Sequence, residues 1–208
     1  YTEQQAADIL LSNLDSKALA DPKVIQFKTG RRRKQWHRNV VSVGLASGFL
    51  EPLESTSIHL IQSGVYRLLK FFPHQGIVPA ERDEYNRQSK VEFEQIRDFI
   101  ILHYKLNQRG DSQYWRDCAA MDIPESLARK MAVFAQSGRV FREQDELFSE
   151  VAWQQVFLGQ GLIPTDYHPL VDALSDVQLR DLMQNLKDIM AVTSARLPSH
   201  QAFLDSCT

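Results

Sequence analysis

From Ser55 onward the apolar residues of this chain recur every three or four positions, and that period constrains its fold more than any other feature. Ile58, Leu60, Ile61, Val65, Leu68, Leu69 and Phe72 predict one helix, ended by Pro73. Pro79 and the acidic Glu81, Asp83 and Glu84 open a long second one, whose stripe runs through Val91, Phe93, Ile96, Phe99, Ile100 and Tyr104 to an end near Arg109 and Gly110. Further helices are predicted at 112 to 120, at 124 to 136, at 147 to 158 and from about 168 to 195. At the other end, Thr2 and Gln5 form a capping-box pattern ahead of Ala6, Ile9, Leu10 and Leu14. β-forming character is confined to Val24, Ile25 and Phe27 and to Val40, Val41 and Val43, which predict two strands joined by a basic connection. Two strands cannot make an independent sheet core. The fold class expected is therefore α+β and mostly helical, a helical subdomain attached to a small piece of sheet.

Charge and cysteine usage narrow the function. Hydrophobic residues are 43% and charged residues 24% of the 208 positions, and the formal net charge of −2 supplies no global field for nucleic acid or anionic lipid. The run Arg31 to Lys34 lacks the aromatic interleaving of an RNA-binding surface and reads as a solvated loop or an intramolecular ion-pair surface. Cys118 and Cys207 form no CxxC pair, so neither a disulfide framework nor a zinc site is indicated, and a reducing, cytoplasmic setting fits. No apolar run approaches the roughly 20 residues that span a bilayer. The chain opens on Tyr1 without a free-standing domain start, which suggests a portion of a longer protein.

The chemistry concentrates in GLASGFLEPLESTSIHL, Gly44 to Leu60, where Glu51 and Glu54 frame Pro52 and Leu53 before three hydroxyl residues that open a helix. A helix start at Ser55 to Ser57 presents free backbone N–H groups and a positive dipole end, and such a place binds anions: a halide, a phosphate or the electron-rich edge of a flavin ring. Glu54 either caps that helix or, turned by Pro52 into a cavity, acts as an acid/base group. His59 has no second His or Cys at ligand spacing and reads as a packed or surface histidine rather than a metal ligand. The serines lack a GxSxG elbow, which argues against a serine hydrolase. Spacing alone does not make Glu51 and Glu54 a glycosidase pair.

The segment GLASGFLEPLESTSIHLIQ resembles the signature of the flavin-dependent halogenases of the tryptophan halogenase family. TGRRRKQWHRNVV before it, and RDFIILHY, DSQYW and LGQGLIP after it, resemble the order of features in the C-terminal half of those enzymes. The resemblance implies that residues 1–60 end a flavin-binding domain of the flavin monooxygenase-like (FAD/NAD(P)-binding, Rossmann-type) fold. Residues 61–208 would then form a helical substrate-binding subdomain. It further implies that Glu54 is catalytic, that Thr56 and Ser57 hold the halide through backbone N–H groups, and that Leu45 and Ile58 meet the flavin with their backbones. FAD as FADH2, oxygen and chloride or bromide would together halogenate an aromatic molecule, with a separate flavin reductase supplying the reduced flavin and no metal; homodimerisation is left open. The family's GxGxxG turn, its catalytic lysine and its WxWxIP stretch have no counterpart here, so the N-terminal FAD-binding half is expected to be absent and the fragment inactive alone.

Tryptophan-specific members carry a Tyr-Tyr and Glu-rich run before LG-G, where this chain reads VFREQDELFSEVAWQQVFLGQG. That difference disfavours free tryptophan and favours an indole, a phenol or a larger aromatic. Phe148, Trp153 and Phe157 are candidates for the apolar surface that would hold it, against the commoner reading of such spacing as core. Two other classes stay open at this stage: a flavin monooxygenase-type hydroxylase, and a helical interaction module in which the motif is only a helix cap.

Overall fold

The computed structural model describes residues 1–207. The chain is mostly helical, with α1 (Glu3–Ser12), α2 (Ser57–Lys70), α3 (Pro79–Lys105), α4 (Gln113–Ala120), α5 (Glu125–Ser137), α6 (Glu150–Gly159), α7 (Asp176–Arg196) and α8 (His200–Ser206). Its strands are only two residues long. β1 (Gly30–Arg31) pairs antiparallel with β4 (Gly48–Phe49), and β2 (Trp36–His37) with β3 (Val40–Val41). Two compact units divide inside α3, at Ile101 and Leu102. Among the described residues the strands form two separate two-stranded sheets, and no Rossmann-type sheet is present.

The expected β-pair holds only at Val40 and Val41. Val24, Ile25 and Phe27 make no ladder; they are 54%, 71% and 67% exposed, and Phe27 instead sets its ring edge-on to Phe49 at 4.7 Å. β-forming side chains need a neighbouring strand to pack against, and here the partner strands come from the basic segment itself. Between β2 and β3 the chain reverses at Arg38, which takes a left-handed φ of 52°.

In the first unit α3 is the organising element. Tyr85, Phe93, Ile96, Phe99 and Ile100 are buried with Trp36 and Leu50, and Trp36 meets Tyr85 edge-on at 5.5 Å. Asn86 clips the hairpin to this helix. Its Oδ1 accepts from the backbone N–H of Gln35 and Trp36 at 2.8 and 2.9 Å, and its Nδ2 donates to the Trp36 carbonyl at 2.9 Å. These bonds satisfy buried main-chain groups that a two-residue strand leaves unpaired.

The second unit has its core at Leu102, Leu127, Phe134, Trp153 and Phe157. The helix expected from about 168 begins later: a short 3-10 turn at Pro169–Ala173 precedes α7, whose start is fixed by a reciprocal capping box between Ser175 and Gln178. The stripe Leu170, Val171, Leu174 continues the helical period, yet the local capping bonds divide it. α8, capped by Ser199, was not anticipated. α1 and α7 bury no residue at all.

Candidate active site

The turn from Gly44 to Ser57 is built by close backbone contacts. Gly48 lies so near β1 that a Cβ there would sit 2.7 Å from the Gly30 carbonyl oxygen, a spacing only glycine allows. Arg32 ties the same region together: its N–H donates to the Ser47 carbonyl at 2.8 Å, and its guanidinium Nε donates to the Ala46 carbonyl. With Arg31 facing Glu94 at 3.6 Å, half of the basic run is bound within the chain, as an intramolecular surface requires.

Past Leu50 the backbone becomes strained. Glu54 and Ser55 are consecutive non-glycine residues in the left-handed region, at φ 66° and 52°. Each costs about 1–3 kcal/mol and persists only where the surroundings over-determine it. The Ser55 N–H donates to the Pro52 carbonyl at 2.8 Å, closing the turn. Thr56 then stands at the N-cap of α2, and its side chain makes no capping bond. The first helical bond runs from the Leu60 N–H to the Thr56 carbonyl at 3.0 Å, which leaves the N–H groups of Ser57, Ile58 and His59 ahead of it.

Thr56 is only 2% exposed, and its hydroxyl has no partner among the described residues. A buried, unsatisfied hydroxyl costs about 1–3 kcal/mol, so its place beside free N–H groups marks a spot suited to a ligand that accepts hydrogen bonds. The donor set, amide N–H and hydroxyl with the positive end of a helix, fits a desolvated halide.

Leu45 and Ile58, in contrast, are large apolar side chains left 77% and 69% exposed. Leu45 forms part of an open cleft of about 960 Å³ that also includes Ile25, Phe27, Arg31 and Phe49. Glu54 is exposed. The first unit thus brings Glu54, Thr56, Ser57 and Ile58 into one turn. Trp153 and Phe157 are elsewhere, each 1% exposed in the core of the second unit, where Phe157 stacks on Phe134 at 4.5 Å; Phe148 is half-buried.

His59, in the first turn of α2, lies against α3. Its Nε2 is 3.0 Å from Glu92 Oε1, while Arg67 donates to Glu92 Oε2 and to the Ser89 hydroxyl, both at 2.8 Å. Nearby, the Tyr85 hydroxyl donates to the Gly64 carbonyl at 3.2 Å, and burial pushes that phenol above its usual range. Among the described residues no group of three or more His, Cys, Asp or Glu is placed to hold a metal ion, and no helix is long and apolar enough to cross a membrane.

The tryptophan halogenase family model matches residues 1–176. The chain belongs to that family. It is 34% identical over 197 residues to the tryptophan 7-halogenase RebH of Lentzea aerocolonigenes, covering 86% of this chain and 37% of RebH. Two solved flavin-dependent halogenases superpose on 99% of the chain and match it along 42% of their own length. They are Xcc4156 from Xanthomonas campestris, with a TM-score of 0.94 at 48% identity, and BrvH from Brevundimonas sp. BAL3, with 0.93 at 42%. The chain therefore spans well under half the length of these family members.

Sequence reasoning missed Glu92, Arg67 and the Lys130–Glu146 pair of the second unit. Lys130 Nζ lies 2.8 Å from Glu146 Oε1, both buried, and Trp153 Nε1 donates to Glu146 Oε2 at 3.2 Å. A buried lysine at an otherwise apolar helical position was the one available hint, since such a charge needs a partner.

Proposed function

We propose that this chain is the C-terminal part of an FAD-dependent halogenase acting on an indole-like or phenolic aromatic rather than on free tryptophan. The observation that carries this reading is the strained Glu54–Ser55 turn, which opens α2 with a buried, unpartnered Thr56 hydroxyl beside free backbone N–H groups. In this reading the Thr56 and Ser57 amides hold chloride or bromide, and the helix start offsets part of the cost of stripping the ion of water. Glu54 guides the oxidised halogen toward the aromatic carbon from the same turn. The backbones of Leu45 and Ile58 face the flavin, which agrees with the exposure of both residues. Reduced FAD, delivered by a separate flavin reductase, supplies with oxygen the two-electron oxidation that turns halide into an electrophile.

One feature supports a substrate other than free tryptophan: the stretch before LGQG has no tyrosine pair. Residues 1–60 would close the flavin-binding domain and 61–208 supply the helical substrate side, with α2 and most of α3 belonging to the same compact unit as the motif. Free Cys118 and Cys207 suit a reducing cytoplasm.

The test is Glu54→Gln in the full-length protein, assayed with bromide, a flavin reductase and a panel of indoles, phenols and free tryptophan. The substitution keeps shape and removes charge, so halogenation should be largely lost while FAD binding stays near normal. Retention of most of the activity would remove Glu54 from the catalytic role. Hydroxylated products without halogen would replace the halogenase reading by that of a monooxygenase.

A further inference from the structure

We propose that His59 is a positioning residue of the halide turn: its bond to Glu92 pins the first turn of α2 against the strain stored at Glu54 and Ser55. This rests on the reading of that turn as the halide site. Two left-handed residues immediately before a helix give the turn a standing tendency to relax, and relaxation would move the Thr56 and Ser57 amides. On the N-terminal side the turn is closed by the bond between the Ser55 N–H and the Pro52 carbonyl. On the helix side the Thr56 hydroxyl makes no bond, so the N-cap itself supplies no restraint.

The restraint comes three residues later. His59 is the last residue whose N–H precedes the first helical bond, and its imidazole reaches Glu92 of α3 at 3.0 Å. Glu92 is held in turn: Arg67, from farther along α2, bonds its other carboxylate oxygen at 2.8 Å and also holds the Ser89 hydroxyl. One carboxylate on α3 therefore fastens α2 at two points, 59 and 67. Two points fix both the rotation of the helix about its axis and its advance along it, and those two quantities set where the free amides lie. The Arg67 guanidinium also neutralises Glu92, so the anchor places no uncompensated negative charge behind an anion site.

The decisive variants are His59→Leu and His59→Gln in the full-length protein, read by bromide titration of turnover and by hydrogen exchange without turnover. Removing one hydrogen bond to a charged group at a partly exposed site should raise the bromide KM about fivefold. Turnover at saturating bromide and the KM for the aromatic substrate should stay within about twofold, because neither depends on the halide amides once they are filled. Exchange should quicken at amides 56–60 and not along α3. His59→Gln, which can still donate to Glu92, should restore both readouts, and on a Glu92→Ala background His59→Leu should add nothing. The proposal is overturned if His59→Leu leaves bromide KM and exchange at 56–60 unchanged, or if it lowers turnover while bromide KM stays fixed. Absence of bromide-dependent turnover in the parent protein would overturn the halide reading instead, and the exchange data would still judge the anchor.

Discussion

Replacing Lys130 by methionine should loosen the α5–α6 region of the second unit far more than a surface substitution could. Glu146 is 3% exposed and accepts three bonds: from Lys130 Nζ at 2.8 Å, from the Glu143 N–H at 2.7 Å and from Trp153 Nε1 at 3.2 Å. Lys130 also donates to the Phe141 carbonyl at 2.8 Å and lies over the rings of Phe141 and Trp153 at 4.5 and 5.0 Å. Methionine preserves length and apolar packing, so the loss isolates the charge. Breaking a buried pair from one side leaves the other charge uncompensated and costs about 3–5 kcal/mol. At about 1.4 kcal/mol per factor of ten, hydrogen exchange of the amides in 141–159 should accelerate by roughly two to three and a half orders of magnitude. Hydrogen exchange with mass spectrometry on the full-length protein measures this locally and avoids a two-state assumption for a multi-unit chain. The double variant Lys130→Met, Glu146→Leu should recover much of the lost protection, since neither charge then stands alone. Acceleration below about tenfold in the single variant, or a double variant as poor as the sum of the singles, would refute the view that the pair is energetically coupled.

Two further outcomes follow from the packing. Burial raises the Tyr85 phenol above its ordinary 10.0, so the folded chain holds that proton more tightly than the unfolded one. The contribution is complete below the ordinary value and is lost as pH rises through the folded one; Tyr85→Phe should flatten the alkaline limb of a stability–pH curve, and an unchanged limb would deny the phenol that role. Gly161→Ala should lower stability by about 1.5–3.5 kcal/mol in urea unfolding, combining a left-handed residue with a lost hydrogen bond. Gly161 has φ +83°, and a Cβ would fall 1.9 Å from Gln108 Nε2, displacing the amide that donates to the Gln160 carbonyl at 2.9 Å. A variant as stable as the parent would show that the Gln108 contact is dispensable.

The parts legible in the sequence are those whose causes are local. The Thr2–Gln5 capping box, the proline starts at Pro79 and Pro124, and the three-to-four recurrence of apolar residues placed α1 to α6 closely, because helix bonds and caps join residues within one turn. The strands were less legible. A two-residue strand has no period to detect, and the β4 partners of Gly30 and Arg31 lie 19 and 17 positions away. The turn at Gly44–Ser57 was visible as a helix entry rich in small residues, but its left-handed pair was not, since neither glutamate nor serine announces a positive φ. His59 and Glu92 stand 33 residues apart, and Lys130 and Glu146 stand 16 apart. Tertiary packing brings such groups together: α2 on α3 for the first pair, and the irregular segment between α5 and α6 folding back on α5 for the second.

The unburied faces of α1 and α7 bear on how this segment can be handled. Leu182, Met183, Leu186, Ile189 and Met190 all stand 43–68% open to solvent, and Ile9, Leu10 and Leu11 are 41–53% open at the other end. Contiguous greasy surface of this kind drives colloidal association. A preparation of these 208 residues alone would precipitate or form soluble clumps before its chemistry could be read, and detergent or a solubility tag would keep it dispersed without shielding those faces.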